Sequence, residues 1–341
     1  MKKILITGGT GYIGSHTAIA LLEAGYIPVV VDNLVNSSRQ SIDRIREITG
    51  TEVTFHEGDA ADKTFLSHVF EKEGDIDGII HFAAHKAVGE SVKEPLKYYD
   101  NNLNALITLL GTMREQGVAP IVFSSSATVY GDPEQNPIPE HAPIKESYSP
   151  YASTKIVGEM LIKDMTKSGA KISAISLRYF NPIGAHESGK IGELPLGIPN
   201  NLLPYLTQVA VGLREKLTVY GNDYDTPDGT CVRDYLHVMD LAHAHIAALE
   251  HLFAQEAPFY DVFNVGTGKG SSITELIGTF EKVTGVPLNY EIGPRREGDI
   301  AVCYADSTKI ERVLGWKAER SIEDALRDSW RWQKGTHSSS K

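Results

Sequence analysis

Cysteine is scarce in this chain: only Cys231 and Cys303 occur among 341 residues. Two thiols cannot build a disulfide framework, and their scarcity suits a reducing cytoplasm. Long apolar runs are missing as well. With no stretch of about 18 apolar residues, no membrane span is expected. The opening MKKILITGGT holds only Ile4, Leu5 and Ile6 between its lysines and the next polar turn, too little apolar core for a secretory leader. Positive charge is in deficit, with 33 Lys and Arg against 44 Asp and Glu and a formal charge of −11. That balance speaks against general binding to nucleic acid or to an acidic membrane surface. An anionic small molecule would need its own local basic residues. Internal repeats and low-complexity regions are also absent, and only the polar end KGTHSSSK, 334–341, reads as disordered.

What remains is an ordinary globular composition, 41% apolar and 23% charged, long enough for two domains. Short Val- and Ile-rich runs at 2–9, 26–32, 51–59, 76–84, 119–131 and 171–181 read as strands. Helical periodicity fills 12–25, 37–50, 96–117 and 149–169, the last with Ser149 as N-cap and Pro150 at the first helical position. Alternation of buried strands with helices predicts an α/β fold, a doubly wound parallel sheet over 1–180. After residue 181 the pattern breaks into a Gly- and Pro-rich segment, 181–201, followed by shorter elements. Residues 181–333 are expected to form a smaller α/β domain that caps the sheet's C-terminal edge, with some segments free to return to the first domain.

Two motifs carry chemistry. Gly8-x-x-Gly11-x-x-Gly14 sits between the first strand and the first helix. Missing side chains there permit a tight turn and close approach of backbone to a pyrophosphate at a helix N-terminus. Asp32 closes the second strand, where an acid holds a ribose hydroxyl and repels a 2′-phosphate, so NAD is expected rather than NADP. Asp59 and Lys86 end later strands, at the edge where such sheets bind ligands. The second motif is Tyr151-x-x-x-Lys155, one face of one helix. A tyrosine titrating near ~10 is a poor base at neutral pH. An ammonium about 4 Å away supplies ~4 kcal/mol toward the phenolate at an effective dielectric of ~20, and an oxidised nicotinamide pushes the same way. Ser126, at the end of the fifth strand, is placed to hydrogen-bond a reacting hydroxyl. A metal is not expected: His243 and His245 are two apart on a helix and do not share a face, and Asp240 reads as an N-cap.

The Gly8–Gly11–Gly14 turn, Ser126 and Tyr151-x-x-x-Lys155 resemble the extended short-chain dehydrogenase/reductase superfamily. Further blocks narrow the resemblance: DNL (32–34), HFAAHKAVGESVKEPLKYYDNN (81–102), SSSATVYGDP (124–133), LRYFNPIGAH (177–186), GIPNNLLPY (197–205), YGNDYDTPDGTCVRDYLHVMDLA (220–242) and RREGD (295–299). Together they are similar to the UDP-glucose 4-epimerase (UDP-galactose 4-epimerase) family, over residues 2 to about 332. The resemblance implies an NAD-binding Rossmann domain and an isomerase in galactose metabolism, with Ser126, Tyr151 and Lys155 catalytic. It implies a UDP-sugar as the small-molecule partner and a homodimer formed through helices 96–117 and 149–167.

Carried over residue by residue, the resemblance assigns NAD to Gly8, Gly11, Tyr12, Ile13 and Gly14, to Asp32, Asn33, Asn36 and Ser37, and to Asp59 and Ala60. Phe82, Ala83, Ala84, Lys86, Asn101, Ser124, Tyr151, Lys155, Tyr179 and Phe180 complete that set. The UDP-sugar would meet Lys86, Ser126, Tyr151 and Tyr179, with Asn181, Asn201 and Leu202 toward the phosphates and Thr218, Val219 and Tyr220 around uracil. Arg233 and Arg296 would grip the diphosphate, whose geometry suits guanidinium forks, with Tyr235 nearby and Asp299 on the ribose. Cys303 would line the sugar pocket where a 2-acetamido group lies. A small residue there implies turnover of UDP-N-acetylglucosamine and UDP-N-acetylgalactosamine as well. Competing readings are another nucleotide-sugar epimerase or 4,6-dehydratase, or a non-catalytic nucleotide-sugar sensor. A dehydratase carries an Asp-Glu pair after the fifth strand, whereas this chain reads Ser126-Ala127-Thr128-Val129 with no carboxylate before Asp132.

Overall fold

A computed structural model describes residues 1–145, 149–296 and 298–339, with residues 338 and 339 described by backbone alone. The first half runs β1 (Lys3–Thr7), α1 (Tyr12–Glu23), β2 (Ile27–Asp32), α2 (Gln40–Thr49), β3 (Thr54–Glu57), α3 (Lys63–Glu73), β4 (Gly78–His81), α4 (Val88–Lys93), α5 (Pro95–Gln116), β5 (Pro120–Ser124), α6 (Pro150–Lys167) and β6 (Ser173–Tyr179). The second half runs β7 (Asn181–Ile183), α7 (Leu202–Ala210), β8 (Leu217–Tyr220), β9 (Val232–Arg233), β10 (Tyr235–His237), α8 (Val238–Phe253), β11 (Phe259–Val265), β12 (Ser271–Ser272), α9 (Ile273–Thr284), β13 (Tyr290–Gly293), β14 (Val302–Cys303), α10 (Thr308–Leu314) and α11 (Ile322–Ser339).

Seven strands form one parallel sheet in the order β11-β6-β5-β4-β1-β2-β3. Helices cover both faces, which is why its central strands are apolar throughout rather than alternating. Ile4 and Ile6 of β1 face the layer of α1 and α8, among Ile19, Leu21, Leu241 and Leu249. Leu5 faces the layer of α3, α5 and α6, among Leu66, Leu109, Met113 and Ile162. Strand order reverses between β1 and β4, so a crevice opens past their C-terminal ends, where doubly wound folds take ligands. A smaller lobe packs α7, α9 and α11 around a separate apolar cluster that includes Leu206, Leu276, Phe280 and Leu326.

Several elements depart from the sequence reading. Helix α3 was not foreseen; Asp62 caps it by accepting from Thr64 N and Phe65 N. The fifth strand stops at Ser124, and Ala127–Tyr130 is a 3-10 turn capped by Ser126. Helix α8 and strand β11, which follow residue 181, lie in the large sheet's layers, a return that the sequence reading had left open. The end expected to be disordered from 334 is helical as far as Ser339, and residues 340–341 lie outside the described residues. Asp240 is not an N-cap: His237 holds that place, and the Asp240 carboxylate accepts from Glu319 N, Arg320 N and the Arg320 guanidinium. Ser149 does cap α6, accepting from Ala152 N, with Pro150 at its start. Among the described residues no helix is long and apolar enough to cross a membrane, and no group of three or more His, Cys, Asp or Glu is placed to hold a metal.

Candidate active site

The crevice past β1 and β4 is a cleft of about 290 Å³, near the lower end of the range for small-molecule sites. Its floor is the glycine turn. Gly8 has a φ of +73°, and a Cβ there would stand 2.7 Å from Ala83 N of the segment after β4. A Cβ on Gly14 would stand 2.4 Å from Gly8 O, so α1 can start only because position 14 has no side chain. No side chain caps α1 at Gly11, and Gly11 to Gly14 line the cleft. The helix N-terminus is therefore left to an anion. Asp32 is buried and organises the rim, accepting from Thr10 N at 3.1 Å, Leu34 N at 2.9 Å and the Ser37 hydroxyl at 2.9 Å. Asn33 donates to Asp59 at 3.1 Å, and Asn36 meets His85 at 3.0 Å. A tight turn, an uncapped helix start and an acid at the end of β2 are the fit a dinucleotide requires.

At the inner end of the cleft, α6 delivers Tyr151 and Lys155, 7% and 4% exposed. The Lys155 ammonium donates to Ser124 O at 2.6 Å and stands 5.8 Å from the centre of the Tyr151 ring. Burial lowers its pKa to about 8, against a smaller upward pull from Glu159. Burial pushes the Tyr151 phenol well above its usual value; Tyr179 adds to this and a hydrogen bond with Ser126 opposes it. Protein groups alone thus do not make Tyr151 a base. Desolvation is the largest cause and Ser126 alone opposes it, so the cationic nicotinamide expected from the sequence becomes necessary. Tyr179 joins the same corner by a 2.8 Å hydrogen bond between its hydroxyl and that of Ser124. His81 below them is held neutral, its pKa lowered to about 3 by burial and by Lys155.

The remaining candidates gather in the smaller lobe. Strand β14 lies beside β9 with Cys303 opposite Arg233. Asp299 takes Arg296 at 2.8 Å and Arg233 at 3.7 Å, so two guanidiniums share one carboxylate and leave net positive charge. Arg296 is 61% exposed and rests 5.8 Å over the Tyr220 ring. Residue 297 lies outside the described residues. Cys303 packs with Ala127, Val129, Tyr130, Ile138, Phe180 and Ala305, which puts it beside the turn that follows Ser126. Burial pushes its thiol up to about 11, so it is a neutral filler of space.

The cleft gathers Gly8, Gly11, Tyr12, Ile13, Gly14, Asp32, Asn33, Asn36, Ser37, Asp59, Ala60, Phe82, Ala83, Ala84, Lys86, Asn101, Ser124, Tyr151, Lys155, Tyr179 and Asn201. It does not include Phe180, which is buried with Cys303. Val219, 2% exposed, and Tyr235, 7% exposed, point into the smaller lobe's core. Only Thr218 and Tyr220 of that strand turn outward, as two-residue alternation requires. Leu202 starts α7 and packs against the same core, while Asn181 pairs with Tyr235 across β7 and β10. Sequence reasoning missed Glu193, whose carboxylate accepts from Lys86 at 3.1 Å and Asn201 at 2.7 Å. It also missed Asn102, which ties the His85 backbone to Thr154 of α6. The Gly- and Pro-rich stretch around Glu193 flagged a functional loop without marking which residue mattered.

Comparison with known proteins narrows what such a site does. Residues 5–329 match the family model described as GDP-mannose 4,6 dehydratase. The chain is 53% identical over 330 residues to a UDP-glucose 4-epimerase of Bacillus subtilis, covering 97% of this chain and 96% of that protein. It superposes with a TM-score of 0.96 on the crystal structure of a UDP-glucose 4-epimerase from Stenotrophomonas maltophila with bound NAD and formylated UDP-arabinopyranose, at 47% identity, covering 99% and 100% of the two chains. A UDP-glucose 4-epimerase from Bifidobacterium longum in complex with NAD+ and UDP gives 0.94 at 48% identity, covering 98% and 99%.

Proposed function

The chain belongs to the UDP-glucose 4-epimerase family of the extended short-chain dehydrogenase/reductases, and from that premise we propose how its cleft works. It is an NAD-dependent isomerase that interconverts UDP-galactose and UDP-glucose through a 4-keto sugar. Bound NAD supplies the redox chemistry, taking hydride from C4 of the sugar and returning it to the other face, so no net oxidation occurs. Gly8, Gly11 and Gly14 bring backbone up to the cofactor pyrophosphate, and Asp32 holds the ribose. Tyr151 removes the proton from the 4-hydroxyl and later returns it. Lys155 and the cofactor's positive charge stabilise its phenolate, and Ser126 orients the hydroxyl. Arg233 and Arg296 exchange part of their pairing with Asp299 for the UDP diphosphate. The nucleotide stays anchored in the smaller lobe while the sugar, held by few groups, turns over between hydride transfers.

The observation that carries this reading is the buried Tyr151–Lys155 pair beside Ser124, at the inner end of a glycine-floored cleft. Although the matching family model is described by a dehydratase, residues 126–129 bring no acid to eliminate water with. Tyr151→Phe tests it. That variant should keep its NAD and bind UDP, yet lose at least about a thousandfold in kcat, within the range for removing a general base. A variant that turns over UDP-galactose at more than a tenth of the wild-type rate would remove Tyr151 from its role.

Cys303 supports a wider substrate range. It stands beside Arg233 and the turn after Ser126, and it is small where a tyrosine would fill space. We propose that UDP-N-acetylglucosamine and UDP-N-acetylgalactosamine are interconverted too. A homodimer through α5 and α6 is supported by apolar residues left open there, Leu96 at 80%, Ile107 at 50% and Met160 at 58% exposure. Sedimentation should then give twice the chain mass of 37.3 kDa, and a monomer would refute it. The two free, buried thiols favour a reducing cytoplasm, which cell fractionation would test.

A further inference from the structure

Three serines in a row run from the last residue of β5 to the cap of the next turn, and the middle one lies outside the cleft lining. Ser124 offers its carbonyl to Lys155 and its hydroxyl to Tyr179, and Ser126 meets Tyr151. Ser125 is fully buried and donates to Glu159 Oε1 at 2.6 Å. Glu159 lies on α6, four residues past Lys155. Arg178 of β6 grips its carboxylate with both prongs, Nε to Oε1 at 2.9 Å and Nη2 to Oε2 at 2.6 Å. The third guanidinium nitrogen donates to the Tyr130 hydroxyl at 3.0 Å and to Glu140 O at 3.1 Å. Glu159 and Arg178 are each 5% exposed, and neither they nor Ser125 line the cleft.

A buried ion pair is weak support for stability, because desolvation offsets its attraction. What this pair does provide is direction. One carboxylate fastens three elements, the serine turn, α6 and β6, through hydrogen bonds that tolerate little sliding. The serine turn carries Ser124 O and Ser126, and α6 carries Tyr151 and Lys155. Their relative placement along α6 is the catalytic geometry, and apolar packing between them would leave that placement soft. We propose that the Ser125–Glu159 hydrogen bond pins the serine turn in register with the Tyr151–Lys155 helix, Ser125 and Glu159 being positioning residues for the epimerisation. The inference rests on the functional reading above and adds two residues that touch neither cofactor nor sugar.

Ser125→Ala is the clean test. It removes one hydroxyl and leaves the Glu159 carboxylate paired with Arg178, so no buried charge is orphaned. Misplacement by about 1 Å costs up to ~100-fold in rate. The variant should therefore lose about 10- to 100-fold in kcat for UDP-galactose, with KM within twofold of wild type and full NAD content. Glu159→Gln should lose at least as much, and the double variant should be no slower than Glu159→Gln alone, because the two changes cut one link. A Ser125→Ala kcat within twofold of wild type overturns the proposal. So does a loss that appears in KM alone, or losses that multiply in the double variant. If Glu159→Gln fails to fold with Arg178 left unpaired, the kcat and KM of Ser125→Ala decide by themselves. Wild-type turnover in the same assay separates the two levels. Wild type inactive on UDP-galactose defeats the functional reading and the pin with it; an active wild type matched by Ser125→Ala defeats only the pin.

Discussion

Lys155→Met puts a price on the lysine twice, once in stability and once in rate. Burial takes the Lys155 pKa from 10.5 to about 8. At about 1.4 kcal/mol per pKa unit, the buried ammonium costs the fold about 3 kcal/mol at neutral pH. Methionine removes that cost and forfeits the hydrogen bond to Ser124 O, worth about 1.5–3 kcal/mol for a charged donor. The NAD-free variant should therefore be as stable as wild type at pH 7, or up to about 2 kcal/mol more so. The pH dependence gives the sign. The folded-state pKa lies below the unfolded one, so the folded protein sheds this proton first and wild-type stability from Lys155 rises between about pH 8 and about 10.5. The methionine variant lacks that rise, and its relative advantage should shrink across the same window. In rate the change runs the other way. An ammonium 5.8 Å from the ring is worth about 3 kcal/mol to a phenolate at an effective dielectric of about 20, which is about 100-fold in kcat. Denaturant melts of NAD-free protein at pH 7, 8, 9 and 10, with kcat from an assay coupled to UDP-glucose oxidation, measure both. A variant that turns over within fivefold of wild type, or that loses more than about 2 kcal/mol at pH 7, would refute the reasoning.

Two further substitutions probe the ends of the site. Gly14→Ala places a Cβ 2.4 Å from Gly8 O, backbone that cannot yield cheaply, so the purified variant should carry little NAD; full NAD content after gel filtration would contradict the role given to the turn. Cys303→Tyr should abolish turnover of UDP-N-acetylgalactosamine while sparing UDP-galactose within about fivefold. A fully packed site would also lose about 1–3 kcal/mol of stability from overpacking, so equal loss on both substrates would defeat the volume argument.

How much was legible in advance depended on whether a feature is local. The glycine turn, the Ser149–Pro150 helix start and the Tyr151–Lys155 spacing are written in consecutive residues, and the structure has them in those places. The turn Ala127–Tyr130 looked like strand because its residues are β-formers; Ser126 capping the next turn overrode that propensity. Helix α3 has a mixed pattern, with only Leu66, Val69 and Phe70 buried, so its periodicity was faint. The return of β11 to the first sheet is a long-range pairing with β6, 86 residues apart from Phe259 to Ser173, which no local pattern encodes. The same holds for Glu193 and for the Ser125–Glu159–Arg178 set: each residue is unremarkable alone and acquires meaning from partners far along the chain. Val219 shows the converse, a residue in a matching block whose side chain the strand's alternation turns into the core.

The central claim is that this cleft inverts C4 of a UDP-hexose with its own NAD. Wild-type protein, given UDP-galactose and no added cofactor, should form UDP-glucose until a fixed ratio is reached, the same ratio as from UDP-glucose, and boiling it should release NAD. Protein that releases NAD on boiling yet leaves UDP-galactose unchanged, followed by proton NMR of the anomeric signals, would contradict the account.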